Sequence, residues 1–460
     1  MFVADGGDFA WTAPRLPAAR APQQRRKAQL ILDAYALTGI DAMVPGDGDL
    51  ALGVSWLVGQ AERTGAPLLA ANLTCDGAAV FPAARRVERG GVALGFVGVL
   101  GTDLTVPDGC AVSDGVEAAR QALADLGPVD LVVALTHQGP AADRALTEQI
   151  DAIDLVVTGF SGSLWPEPRA LPGGALHLAS GSRGKQLGVA SVTLTAGGEG
   201  FATDGAAEQI TSTLERTRRR LASAESQRER ASDDATRARA EARVEHYQVE
   251  IAGLEAELAA AKAGSDRPRH GLSHELVGLG AGIADHPATA ALLDAAKAEI
   301  EGEAVVVSPQ PATLTSGPYV GSQVCAGCHV GPAKDWASTP HARAWATLVH
   351  EKRSQDLDCY GCHATGAFHP EGPKAPAEVA LPLQHVGCES CHGPGRVHAE
   401  SAGQKGEMVG SPGEAACVQC HDGQQDGGRF DLARYLPKVD HDPDTVPPAV
   451  APVPADDPAP

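Results

Sequence analysis

At 460 residues with a net charge of −21, the chain is too long for one ordinary domain of about 100 to 200 residues, so two or three folded units are expected. The excess of Asp and Glu (58) over Lys and Arg (37) argues against a nucleic-acid backbone as partner, and there is no apolar run of roughly 18 residues to span a bilayer. Hydrophobic residues at 43% allow a real core, yet aromatics are only 4% beside 53 glycines and 33 prolines, so part of the chain must be held by something other than packed side chains.

Residues 1–205 alternate strand-like apolar runs with amphipathic helical stretches. The runs are Ala42–Val44, Pro67–Leu73, Val92–Leu100, Leu131–Leu135, Leu155–Val157 and Val189–Leu194, each bounded by Gly, Asp or Asn. Helices are predicted at about 19–38, 49–64 and 114–126, the last opening on Ser113-Asp114 as a cap. This pattern reads as an α/β sandwich. Cys75 and Cys110 lie alone in it, and His177 reads as a packed strand residue.

The order of turns resembles the metallophosphoesterase domain of periplasmic 5′-nucleotidases: Gly7-Asp8, then Ile40–Gly46, Ala71-Asn72-Leu73, Gly91-Val92 and Ser182–Gly188 follow in step. The resemblance implies a two-metal centre of about seven ligands that clamps phosphate and makes hydroxide. Only Asp8, Asp47 and His137, within Leu135-Thr-His-Gln-Gly139, stand where it implies ligands. Asp47-Gly48 replaces its Asn-His pair, and Gly159-Phe160-Ser161-Gly162 replaces its final Gly-His-x-His. The expectation is a degenerate scaffold with a vestigial site at Asp8, Asp47 and His137, no bound divalent metal, and phosphoesterase activity lost. The competing reading is a metal-dependent nucleotide or cyclic-phosphate hydrolase fused to the C-terminal part.

Residues 206–263 are dense in Ala, Arg and Glu and carry no Pro and one Gly, Gly253. Ile210, Leu214, Thr217, Leu221 and Ala224 step 4-3-4-3, and Val244, Tyr247, Ile251, Leu254, Leu258 and Ala261 step 3-4-3-4-3 in a different heptad register. With a cap at Ser232-Asp233-Asp234, two antiparallel helices are favoured over one rod, the alternative being a coiled-coil homo-oligomer. Residues 264–316 read as a connector with one helix near 287–301, solvent-exposed His270, His274 and His286, and the Pro-rich Ser308–Pro311.

Eight of the ten cysteines and ten of the sixteen histidines fall after residue 317. The cysteines form four pairs of one spacing, each followed by histidine: Cys325-Ala-Gly-Cys328-His329, Cys359-Tyr-Gly-Cys362-His363, Cys388-Glu-Ser-Cys391-His392 and Cys417-Val-Gln-Cys420-His421. At this composition C-x-x-C-H arises by chance about 0.01 times in such a chain. Two thiols at this spacing can each add to one vinyl group of a haem, and the following histidine then lies beneath the iron. Structural zinc needs four thiolates and asks for no histidine after every second cysteine. Four c-type haems would also supply the apolar bulk that this segment lacks in its side chains. His341, His350, His369, His385, His398 and His441 compete for the remaining axial positions.

Tyr319–Cys325, Trp336, Thr339-Pro-His341-Ala342, Cys362–Gly366 and Gly387–Gly395 with His398 resemble the tetrahaem cytochromes that accept electrons in hydroxylamine oxidation, over residues 317–441. The resemblance implies His341, His398 and His441 as distal ligands ahead of His369, His385 and His350, and one haem without a strong sixth ligand. It points to extracytoplasmic electron transfer with a redox protein partner, for which the acidic surface suggests a basic docking face. The alternative is a redox enzyme acting on a small nitrogen or sulfur compound at a five-coordinate haem. Since haem is ligated to such motifs outside the cytoplasm, a periplasmic location is expected; no secretory signal is visible at Met1–Asp5, and the expectation is that the native protein starts upstream. The Asp-, Pro-, Ala- and Val-rich segment 442–460 reads as disordered.

Overall fold

The computed structural model describes residues 1–198, 201–202, 206–230, 234–262, 270–280, 282–302, 314–404, 408–422 and 429–441. The chain groups into two compact units, Met1–Ala290 and Ala291–Pro460. It combines a mixed α/β unit with a helical C-terminal region.

The first unit is built on a six-stranded sheet whose order is Arg169–Ala170, Leu176–Leu178, Leu155–Thr158, Leu131–His137, Val92–Leu100, Ala84–Arg89. The four inner strands run parallel, with Leu94 opposite Leu131, Val133 opposite Leu155 and Leu155 opposite Leu176; the two edge strands are antiparallel. A parallel sheet is covered on both faces, so its strands read as continuous apolar runs. The two-residue period then sorts each run between two cores. Leu94, Phe96, Leu100, Leu131, Val133 and Leu135 face one cluster with Leu32 and Leu57 of the helices Ala21–Thr38 and Val54–Thr64. Val97, Val99, Val132 and Ala134 face the other with Ala119, Ala122 and Leu146 of Gly115–Leu126 and Pro140–Gln149.

The helix Gly115–Leu126 starts where expected: Asp114 accepts from the amides of Val116 and Glu117. The expected helix 49–64 is interrupted at Gly53, whose φ of 106° suits glycine alone, giving Asp47–Leu50 and Val54–Thr64. Sequence reasoning missed the helix Pro140–Gln149 and the small sheet in which Leu73–Cys75 pairs with Ala78–Ala79 and Cys110–Val112. In that sheet Cys75 lies opposite Cys110 and the two form a disulfide, so neither stands alone.

The connector reading of 264–316 is corrected in its first half. His270–Gly278 is a strand, antiparallel to Gln186–Thr193 and parallel to Phe201–Ala202. Polar His274 and Glu275 disguised its alternation, and pairing on both sides supplies what side-chain pattern did not. His270 is buried, not exposed: its Nδ1 accepts from the Thr195 amide and its ring meets Phe201 edge-on. His274 is half-buried, and only His286 is exposed. The helix Pro287–Gly302 lies near its expected place. Ser308–Pro311 and 442–460 lie outside the described residues.

Between Phe201–Ala202 and His270–Gly278 come two helices, Ala206–Arg230 and Asp234–Lys262. They run antiparallel, with Thr217 bonded to Glu250 and Arg218 paired to Glu255. Leu214, Thr217, Ala224, Ala240 and Val244 are buried along the seam. The cap residues Ser232 and Asp233 lie outside the described residues.

The second unit is made of short helices and turns: Ser322–Ala326, Val330–Ser338, Ala344–His350, Tyr360–His363, Cys388–His392, Arg396–Glu400, Glu414–Cys417 and Leu432–Tyr435. Its side-chain core is small: Tyr319, Trp345, Leu348, Ala364, Val379 and Leu383. Among the described residues no helix is long and apolar enough to cross a membrane.

Candidate metal centres

In the first unit Asp8, Asp47 and His137 come together, each offering a ligand atom within 4.8 Å of the others. His137 ends a sheet strand, Asp8 sits on the loop after Ala4–Asp5, and Asp47 opens the short helix Asp47–Leu50 that follows Ala42–Met43. His137 Nδ1 lies 3.2 Å from the Gly6 carbonyl, which turns Nε2 toward Asp8 Oδ2 at 3.5 Å and Asp47 Oδ1 at 3.9 Å. Burial alone would lower the His137 pKa, but its bond to Asp8 and the surrounding carboxylates raise it overall. Burial and the neighbouring Asp8 push Asp47 up.

Two carboxylates that sequence reasoning missed, half-buried Asp5 and buried Asp49, brace these segments. Asp5 accepts from Gly7 N and Tyr35 Oη, and Asp49 accepts from Gly46 N and Ala10 N. Burial raises both, Asp49 strongly, with Asp8 adding to it. The run Gly46-Asp-Gly-Asp49 was the available signal for Asp49. At Gly48, where the resemblance implies histidine, a Cβ would lie 2.0 Å from the Trp11 carbonyl oxygen, so the backbone of Trp11 fills the place of a ligand. His177 is a packed strand residue, edge-on to Trp165, with Nε2 2.9 Å from Oδ2 of buried Asp143, whose Oδ1 accepts from Gln138.

In the second unit each motif is a single tight turn. The amides of His329 and His421 donate to the carbonyls of Cys325 and Cys417 at 2.9 Å, which places both thiols and the imidazole around one turn. Thiols of different motifs approach one another. The Cys325 and Cys388 thiols are free and within hydrogen-bonding reach of each other, as are those of Cys362 and Cys420; the first contact pulls Cys388 down to about 6 against its burial. Cys391 lies within electrostatic reach of Cys417. Among the described residues no three thiols or imidazoles gather within 4.8 Å, as a tetrahedral zinc site would require.

Three motif histidines each face a histidine from outside the motifs. His329 stacks with His398 at a centroid distance of 6.2 Å, His421 faces His341 at 6.1 Å, and His392 faces His441 at 5.8 Å. Two metal–imidazole bonds of about 2 Å each set ring centroids roughly 6 Å apart, so these pairs fit an axially held iron. His392 Nδ1 is bonded to the Val409 carbonyl and His363 Nδ1 to the Ala344 carbonyl, which leaves Nε2 of each for a metal. Nδ1 of His441 is buried without a hydrogen-bond partner among the described residues. No imidazole contacts the ring of His363 among them.

The other candidates lie elsewhere. His369 meets Tyr319 edge-on, His385 accepts from the Trp345 amide, and His350 is exposed beside Glu351. Val324, Val330 and Val418, adjoining or inside the motifs, are 50%, 61% and 42% exposed, apolar surface of the kind a macrocycle covers.

The family profile described as cytochrome c554 and c-prime matches residues 324–393. Cytochrome c-554 of Nitrosomonas europaea is 37% identical over 76 residues, covering 12% of this chain and 32% of that protein; the chain thus spans about a third of the length of this relative. Among solved structures, the Thermus thermophilus sulfate thiohydrolase SoxB in complex with glycerol is 27% identical, with a TM-score of 0.37, covering 43% of this chain and 37% of that one. A 5′-nucleotidase precursor, also from Thermus thermophilus, is 23% identical, with a TM-score of 0.37, covering 44% and 43%. The C-terminal region is thus similar to the cytochromes c554, and proteins of the 5′-nucleotidase and metallophosphoesterase type are the structural neighbours of the N-terminal part.

Proposed function

We propose that the chain is an extracytoplasmic electron-transfer protein whose second unit carries four c-type haems, attached at Cys325/Cys328, Cys359/Cys362, Cys388/Cys391 and Cys417/Cys420. The observation that carries this reading is the three imidazole pairs, each joining a motif histidine to one outside it. Haem supplies reversible one-electron chemistry when its axial positions are filled by protein. His329 with His398, His421 with His341 and His392 with His441 are the assigned axial pairs. The thiol contacts group the first motif with the third and the second with the fourth, and Cys391 beside Cys417 joins the two groups. A pyridine haemochrome spectrum with protein quantitation tests the reading: four covalent haems per chain are expected, and a colourless, zinc-containing protein would refute it.

A second reading is favoured at one position. His363 has its Nδ1 anchored but meets no second imidazole among the described residues, so the second haem is the one assigned an open coordination site, where a small nitrogen or sulfur compound could react. Electron paramagnetic resonance should show one high-spin haem in four; four low-spin haems would remove this reading.

The first unit we assign as a scaffold. Three ligands can meet, where two-metal phosphoester chemistry needs about seven, and the Trp11 carbonyl occupies the space of one of the missing ones. Turnover of a chromogenic phosphodiester with manganese, abolished by Asp8→Ala or His137→Ala, would overturn the assignment. A redox protein partner offering a basic face completes the proposal.

A further inference from the structure

Leu314–Gly321 leads into the first motif outside any helix or strand, so its backbone polar groups need partners from elsewhere. Its carbonyls go to one side chain and its amides to another. Arg396 donates from Nη2 to Leu314 O and Ser316 O at 3.1 Å and to Tyr319 O at 2.8 Å, and from Nε to Gly317 O; its own amide donates to Pro318 O at 3.0 Å. Glu389 accepts from Val320 N at 3.1 Å, from Gly321 N at 2.7 Å and from Gly395 N at 2.7 Å.

The placement of these two residues ties together three parts of the haem region. Glu389 lies inside the third motif, between Cys388 and Cys391, and is 3% exposed. Arg396 stands two residues before His398, the imidazole that faces His329. One carboxylate and one guanidinium thus fasten the lead-in of the first motif to the third motif and to the first motif's opposing histidine. A buried carboxylate held by backbone donors is an anion in a low-dielectric setting, where its field is weakly screened.

We propose that Glu389 and Arg396 are positioning residues that hold the first and third haems as a pair and bias their reduction potentials in opposite directions. The inference rests on covalent haem at those two motifs. The Glu389 anion favours the more positive oxidised iron and lowers the potentials of the pair; the Arg396 cation raises them.

The test is spectroelectrochemical titration of the full, matured chain, with a haem count on every variant. Glu389→Gln should raise two of the four potentials, each by on the order of tenfold in its reduction equilibrium, about 59 mV for one electron. Arg396→Gln should lower the same two, and Glu389→Asp, which keeps the charge, should return toward the parent curve. A four-haem Glu389→Gln protein whose titration superimposes on the parent, or moves all four haems equally, overturns the inference. Should Glu389→Gln lose haem, Arg396→Gln decides by the same criterion; if neither matures, the pair acts on folding alone and the inference falls. A parent protein without covalent haem would instead refute the haem reading itself.

Discussion

In the first unit, Val97, Val99, Ala134 and Leu135 are fully buried by strands and helices of the same chain. In the second, the buried apolar set shrinks to a handful around Trp345, while Val324, Val330, Val397 and Val409 beside the motifs and opposing histidines stand at least half exposed. The sheet is specified by side chains that cover one another. The turns of the second unit present apolar groups outward and imidazoles in facing pairs, surface that the proposed haems would cover. Aromatic residues are equally sparse in the two units, so it is how apolar groups are covered, not aromatic content, that separates them.

The largest test of this contrast is to withhold haem. Chain produced without cytochrome maturation should keep the cooperative thermal transition of the first unit and lose that of the second, followed by calorimetry and limited proteolysis; two intact transitions would break the comparison. Next is the Cys75–Cys110 bridge, which spans a separation of 35 residues. Replacing both by serine should cost about 4 kcal/mol in denaturant unfolding of the first unit and leave the haem spectra unchanged. Leu135→Ala, at a fully buried sheet position, should cost about 3 kcal/mol, again confined to the first unit. Asp114→Ala removes the cap of Gly115–Leu126 and should cost about 1 kcal/mol.

The smallest effect is on pH. Asp5, Asp49 and His137 have folded pKa values raised above their unfolded ones, so the folded state holds protons more tightly. Their contribution stabilises the first unit at low pH and is lost as pH rises through the raised values. Its melting temperature should fall between pH 6 and pH 8, a range chosen around the ordinary histidine value of about 6.5. Asp49→Asn should flatten that slope.

Legibility followed the same division. The Val92–Leu100 and Leu131–Leu135 runs announced their strands because both faces are apolar, and the four C-x-x-C-H motifs stand out in the sequence by their shared spacing. What sequence concealed depended on distant partners. His270–Gly278 became a strand through pairing with Gln186–Thr193, and Cys75 met Cys110 through sheet register. The facing histidines were nominated but not matched to motifs, because His398 lies 69 residues from His329 and only the fold brings their rings together. Glu389 and Arg396 escaped notice because their partners are backbone atoms, which leave no pattern in a sequence.

The chain leaves the three-stranded sheet at Phe201–Ala202 and rejoins it at His270–Gly271, and these are register partners. The helical hairpin therefore begins and ends at one spot on the sheet, like a cassette clipped into a seam. Lengthening or trimming both helices by matching turns would leave the strand pairing undisturbed, and even a doubling of the excursion would add only about 0.6 kcal/mol of closure entropy. Reach can thus be altered at this point at little cost to the fold that carries it.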